Sequence, residues 1–323
     1  MRRIRLGRTN QEVPAVSLGT WSYGGLNTAR GMSVGWRDHD DARARAALRA
    51  AHAAGITHWD TADVYGDGRS EALLGSMWGE VPRDEIFLAT KVGWFAGEHP
   101  RYYHPQLIRE RLERSLKLLQ TEAVDLYYLH HCDFGPDDRD LEPAVELLLR
   151  FRDEGKIRWI GLSDWSDEKI VRVIERVNPD VVQPYRNVTH DTYASSGLKA
   201  WVEAHDVGVC YFSPIRHGAL LGKYSAPVEF PEGDFRRNVD VFTDADVLAQ
   251  LRAHAEALRA EFADDAEPVL NALLGALLAD CPTGCVLLGQ RSPEQVAAAA
   301  RADRALSPEE AARVLARYAD LAS

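Results

Sequence analysis

The feature that most constrains this chain is an alternation kept up almost to its end. Short runs rich in Val, Ile, Leu and aromatic residues take turns with longer helical patterns. The strand candidates are 15–19, 56–60, 86–90, 124–130, 157–163, 180–184, 207–213 and 284–289. Most lack a polar–apolar alternation, as expected of parallel strands covered on both faces. The helical stretches carry start and stop signals. Asp40 and Asp41 open one that Gly55 closes, and apolar residues at 107, 108, 112, 116 and 119 share a helical face. The stretch from 141 ends on Gly155, while Ser166 and Ser292 stand as N-caps followed by acidic residues that suit a helix start.

Strand–helix units repeated in this way predict an α/β fold, a (β/α)8 TIM barrel formed as a single domain over residues 1–323. Alternation alone does not separate a closed barrel from an open doubly wound sheet. Against the open sheet, no strand leads into G-x-G-x-x-G; the nearest match, Gly66 to Glu71, lacks the third glycine. Three segments fall outside the rhythm. Residues before the first strand read as an N-terminal β-hairpin plugging the barrel floor. The stretch 216–246 is a long loop after strand 7, of a length usually reserved for lids. Residues 267–280 read as an extra helix before the last strand.

Composition narrows the function classes. The 323 residues, 46% hydrophobic and 27% charged, suffice for a large core, and a net charge of −11 repels phosphate backbones, so nucleic acid is not an expected partner. Cys132, Cys210, Cys281 and Cys285 form no C-x-x-C pair and read as free thiols, which fits a reducing cytoplasm. The basic start lacks an apolar signal region, and no apolar run approaches the roughly 20 residues a membrane helix needs. No H-E-x-x-H occurs, and no metal site is expected from spacing.

In such barrels chemistry gathers at the C-terminal ends of the strands. Strand 2 ends at Asp60, with Tyr65 in the next loop; strand 3 ends at Thr90 and Lys91; strand 4 ends at His130. Singly, these are a helix cap, a turn residue, a solvated lysine and a rim histidine. On adjacent strands they are complementary. Hydride attack on a carbonyl builds negative charge on oxygen, which needs a proton donor. A phenol with a pKa of about 10 holds its proton at neutral pH, and a nearby ammonium lowers that pKa. Asp60 would keep Lys91 charged and aimed, and Tyr65 would be the acid.

Six stretches carry a wider resemblance: LGTW (18–21), DTADVYGDGRSEALLG (60–75), ATKVG (89–93), SLKLLQTEAVDLYYLH (115–130), GKIRWIGLSDWS (155–166) and GALLGKY (218–224). In this ordered set the chain resembles the aldo-keto reductases over essentially its whole length. The resemblance implies NAD(P)H-dependent reduction of an aldehyde or ketone, with NADPH the usual donor, NAD possible, and Asp60, Tyr65, Lys91 and His130 as the catalytic tetrad. It implies cofactor contacts from Gly19, Thr20 and Asp60, and from Ser163 and Asp164, the latter replacing the family's Asn. Further contacts are implied from Gln183, from Phe212 in place of a stacking Tyr, and from Ser213, Pro214, Gly218, Leu220, Gly222 and Lys223 around the pyrophosphate. Gly289, Gln290, Arg291 and Gln295 face the adenosine end. There the family's Glu-Asn pair falls on Ala298 and Ala299, so weaker binding and a softer preference for NADP over NAD are expected. Trp21, Tyr23, Trp94, Phe95 and His131 are the substrate-side residues, and a small-molecule carbonyl is the expected partner. The alternatives are the reverse reaction, an alcohol or sugar dehydrogenase, and a cofactor-sensing regulatory subunit with little turnover.

Overall fold

In a computed structural model, residues 1–29, 31–95, 99, 101–302 and 304–321 are described. The chain begins with an antiparallel hairpin, β1 (Arg3–Arg5) and β2 (Glu12–Pro14), in which Ile4 faces Val13. The barrel follows: β3 (Val16–Gly19), β6 (His58–Asp60), β7 (Phe87–Val92), β8 (Val124–Leu129), β9 (Ile157–Asp164), β10 (Val181–Pro184), β11 (Gly208–Phe212) and β12 (Gly284–Gly289). All neighbouring strands are parallel, and β12 pairs with β3, Val286 opposite Val16 through Gly289 opposite Gly19, which closes the cylinder. The open doubly wound alternative is thereby excluded. A minor hairpin, β4 (Thr28–Ala29) and β5 (Met32–Ser33), interrupts the loop after β3.

The helices form where their caps allow. Asp40 accepts from the Arg43 amide at 2.7 Å to start α1 (Asp41–Ala53). Ser166 starts α5 (Asp167–Val177) and Ser292 starts α9 (Pro293–Arg301) in the same way. Each such cap is worth about 1 kcal/mol. The remaining helices are α2 (Arg69–Gly75), α3 (Pro105–Leu118), α4 (Leu141–Asp153), α6 (Leu198–His205), α7 (Ala245–Glu261), α8 (Pro268–Leu278) and α10 (Pro308–Arg317). The expected extra helix is α8, buried from Val269 to Leu278; α7 and α10 complete the C-terminal half. No helix is long and apolar enough to cross a membrane among the described residues.

Among the described residues two apolar cores result. The larger lies between helices and sheet, where Leu48, Leu74, Ile108, Leu148, Ile170 and Leu273 are fully buried, each contributing about 1.5–3 kcal/mol. The smaller fills the barrel itself. Leu6 and Val13 of the hairpin join Ala89, Leu126, Tyr128, Val181, Cys210, Cys285 and Leu287 in that cluster. The hairpin therefore plugs the floor, as expected, and the cavity lies at the opposite end of the barrel.

Candidate functional site

The turn that presents Tyr65 exists because two glycines touch. Gly66 has φ +63°, and a Cβ on it would collide with the backbone of Gly24, just as one on Gly24 would meet Gly66. This close approach locks the 3-10 turn Trp21–Gly24 against the Tyr65 turn, and the Trp21 and Tyr65 rings stack with centroids 5.9 Å apart. The same segment is tied down from below. Asp63 accepts from Arg111 Nε at 2.7 Å, a buried ion pair, and the Thr61 amide donates to Ala89 O at 2.9 Å. Thr61 Oγ1 donates to Ser70 Oγ at 2.9 Å, and Ser70 Oγ in turn donates to Thr20 Oγ1 at 2.9 Å and Thr20 O at 3.1 Å.

The four expected catalytic groups meet. Lys91 Nζ, fully buried, bonds Asp60 Oδ1, donates to Thr61 O at 2.7 Å and lies 3.3 Å from the Tyr65 hydroxyl. The His130 ring stands edge-on to Tyr65 with centroids 5.9 Å apart, and among the described residues its buried Nδ1 has no hydrogen-bond partner. Burial works against the Lys91 charge, yet Asp60 and then Tyr65 more than offset it, so its pKa lies above the usual lysine value. For Tyr65 burial is the larger influence and raises the phenol pKa; Lys91 pulls it down, but by less. The expected net lowering of Tyr65 is thus reversed by desolvation, which keeps the proton on the phenol. Burial, followed by the Lys91 charge, pushes His130 well below the ordinary histidine value, so its imidazole is neutral.

Asp60, Tyr65 and His130 line a cavity of about 760 Å³ at the C-terminal mouth of the barrel, and Lys91 lies buried behind them. A sequence model of the aldo/keto reductase family matches residues 15–318. The chain belongs to the aldo/keto reductase family. An NADP(+) aldo-keto reductase of Schizosaccharomyces pombe is 34% identical over 237 residues, 71% of this chain and 66% of that protein. An aldo-keto reductase of Bacillus subtilis is 32% identical over 74% of this chain and 70% of its own length. A glycerol dehydrogenase of Gluconobacter oxydans superposes with a TM-score of 0.81 at 27% identity, covering 98% of this chain and 94% of that one. A Klebsiella pneumoniae aldo-keto reductase solved with NADPH gives a TM-score of 0.69 at 26% identity, covering 97% and 93%.

In this aldo-keto reductase the cavity runs from the tetrad to the start of α9. Gly19, Thr20, Asp60, Ser163, Gln183, Phe212, Ser213, Pro214, Gly218, Lys223, Gly289, Arg291 and Gln295 all line it. The Thr20 hydroxyl is already spent on Asp60 O at 2.8 Å. Asp164, Leu220, Gly222 and Gln290 do not line it. Asp164 accepts from the amides of Cys132 at 2.7 Å and Ser166 at 3.0 Å, fixing two loops. Leu220 is core, Gly222 caps the 3-10 turn Arg216–Leu221, and Gln290 is buried with Nε2 donating to Ser17 O at 3.2 Å.

On the substrate side Trp21 and Trp94 reach the cavity, whereas Tyr23, Phe95 and His131 do not. Tyr23 is buried, its hydroxyl donating to Gln290 O at 2.7 Å. Phe95 lies under the Arg111 guanidinium, and the His131 ring bonds Gly93 O through Nε2 at 2.7 Å. Trp165 and Tyr102, which the sequence also offers on this side, line the cavity, and Trp36, His217 and Phe235, absent from the sequence expectation, join them, with Phe235 4.7 Å from Trp21 and 5.8 Å from Trp165 between ring centroids. Burial, then the nearby Arg236 and Arg216, lower the His217 pKa to about 3, so this wall is uncharged at that point. Trp36 comes from an irregular loop and Phe235 opens a short 3-10 turn within the long excursion after β11, and only an aromatic count in those loops would have signalled them.

Proposed function

We propose that this chain reduces an aldehyde or ketone with an apolar or aromatic body, using NADPH, with Tyr65 delivering the proton. The observation that carries the reading is the Tyr65 hydroxyl 3.3 Å from a buried Lys91 ammonium at the apolar-walled end of the cavity. A reduced nicotinamide, when bound, supplies the hydride. The residues present suit that cofactor. Ser163 and Gln183 offer polar groups for a carboxamide, Phe212 a ring face, and Ser213, Pro214, Gly218 and Lys223 a wrap for a pyrophosphate. A Cβ at Gly289 would meet nothing within 4 Å, so the chain leaves open space beside Arg291, Gln295 and the first turn of α9. An anion is favoured there by the helix N-terminus and by the guanidinium fork. Ala298, which lines the same end, offers no hydrogen bond to an adenine.

The chain's own groups then act in order. The aromatic wall excludes water and leaves the carbonyl oxygen one polar place to go, between Tyr65 and His130. Neutral His130 offers a hydrogen bond to that oxygen. Tyr65 transfers its proton as charge develops there, and the nearby Lys91 ammonium, held by Asp60, stabilises the phenolate left behind. The same groups serve the reverse oxidation, with the phenolate as base. The intact tetrad favours an enzyme over a regulatory subunit. The test is a panel of aromatic, aliphatic and sugar carbonyls with NADPH, run on the parent enzyme and Tyr65→Phe. Turnover of aromatic carbonyls that the variant loses supports the reading; an equally active variant, or selective turnover of sugars, overturns it.

A further inference from the structure

Beneath the tetrad, inside the barrel, lies a group of side chains that carbonyl reduction does not use. His58 on β6, Cys210 on β11 and Cys285 on β12 each bring a ligand-type atom within 4.8 Å of the others. Cys210 and Cys285 are paired directly across adjacent parallel strands, with sulfurs 3.4 Å apart. Cys285 Sγ lies 3.8 Å from His58 Nδ1, and Ser17 Oγ of β3 lies 3.0 Å from the same nitrogen. These residues occupy four consecutive strands, β6, β3, β12 and β11. From the opposite side of the cylinder Tyr128 of β8 projects into the same core cluster, its ring 5.9 Å from Lys91 Nζ. All five side chains are fully buried, and among the described residues the Tyr128 hydroxyl has no hydrogen-bond partner. Cys281, the thiol nearer in sequence, instead contacts Tyr193 at 3.9 Å.

We propose that His58, Cys210 and Cys285 form an intra-barrel binding site for a soft d10 cation of the zinc(II) type, with Tyr128 or Ser17 completing the ligand set. Tetrahedral zinc, with bonds of about 2.3 Å to sulfur and about 2.0 Å to nitrogen, sets its ligand atoms roughly 3.5–3.8 Å apart. The two closest separations here fall within a few tenths of an ångström of that spacing. Two thiolates, one neutral imidazole and a doubly charged cation sum to zero, the charge balance that a dry apolar interior requires. On binding, both thiols release their protons to solvent and two sulfur–metal bonds and one nitrogen–metal bond form. No electrons move. The cation would staple strands on one side of the barrel and stabilise the fold.

The experiment is zinc alone, supplied during expression or refolding, with bound metal measured after gel filtration and the melting temperature compared with metal-free protein. The expected result is one zinc per chain, a raised melting temperature, and loss of the metal in Cys210→Ala and in Cys285→Ala. Alanine keeps the core apolar, so carbonyl reduction in both variants reports that they are folded. Cys281→Ala is the control and should retain the metal. Absence of zinc from the folded parent protein overturns the proposal, as does zinc retained by both Cys210→Ala and Cys285→Ala. A mass lower by two hydrogens in untreated protein, showing a Cys210–Cys285 disulfide instead, also overturns it.

Discussion

Gln183 Nε2 donates to Asp60 Oδ2 at 3.0 Å, although the two residues stand on β10 and β6, diametrically opposite strands of the closed barrel. The carboxylate that holds Lys91 with one oxygen is thus held by the far wall with the other. Gln183→Leu should leave a buried carboxylate oxygen unpaired, a cost of about 1–3 kcal/mol, or roughly ten- to hundredfold if it falls on the transition state. Steady-state kinetics should show kcat falling by at least about tenfold, with the melting temperature lowered. A variant with unchanged kcat would show that Asp60 needs no support from across the barrel.

Tyr65→Phe removes the proposed proton donor while keeping the ring that stacks on Trp21. Loss of general acid catalysis costs about 10²–10⁴-fold. The expected outcome is a fall in kcat of that size with NADPH affinity, read by fluorescence titration, within about twofold of the parent.

The pH dependence of reduction follows from a phenol whose pKa burial has raised. Reduction needs Tyr65 protonated, so the rate should stay level through neutral pH and fall only above the ordinary phenol value of about 10. Lys91→Met removes the influence that pulls this pKa down, so its alkaline limb should move higher while its plateau drops. A limb that moves to lower pH would contradict the assignment.

Glu71 supplies a separate pH signature. Its buried carboxyl, which accepts from Thr90 Oγ1 at 2.7 Å, has a pKa raised to about 7, first by burial and then by Asp63. The native state therefore holds a proton that the unfolded chain, at about 4.3, has already lost. Stability from this group is complete below about pH 4 and declines as pH rises to about 7, by a few kcal/mol at most. Glu71→Gln should flatten that decline, as measured by urea denaturation at pH 5 and pH 8.

Arg291 lines the cavity beside the start of α9, where the proposed cofactor would carry its adenosine, and its NH1 donates to Arg37 O at 2.9 Å. Arg291→Ala should raise the KM for NADPH by about tenfold and leave that for NADH nearly unchanged, because only the former carries the extra phosphate. With Ala298 unable to bond adenine, both reduced cofactors should support turnover in the parent enzyme.

The sequence showed the barrel well because every strand is short, apolar and followed by a helix with its own cap, as Asp40, Ser166 and Ser292 illustrate. The meeting of Asp60, Lys91 and His130 was legible for the same reason: each lies within one residue of a strand end. The misplaced residues are mostly neighbours of well-placed ones. Asp164 follows Ser163, His131 follows His130, and Gln290 follows Gly289, and in each pair only the first lines the cavity. Side chains of an extended chain alternate in direction, so a motif read as a block overstates the site by every second residue. Trp36, His217 and Phe235 were illegible for another reason. They lie in segments without a helical or strand period, where position depends on contacts between distant loops.

One such contact was built into the long excursion after β11. Gly233 O accepts from the amides of Asn27 at 3.1 Å and Gly35 at 2.8 Å, and Asp234 Oδ2 accepts from the Arg37 amide at 2.9 Å. The excursion is therefore clasped to the loop after β3 largely through main-chain atoms. Side chains such as Trp36 and Phe235, which shape the cavity wall, can be exchanged without unfastening that clasp. Evolution, or an engineer, can therefore change which molecules fit while the roof over them stays in place.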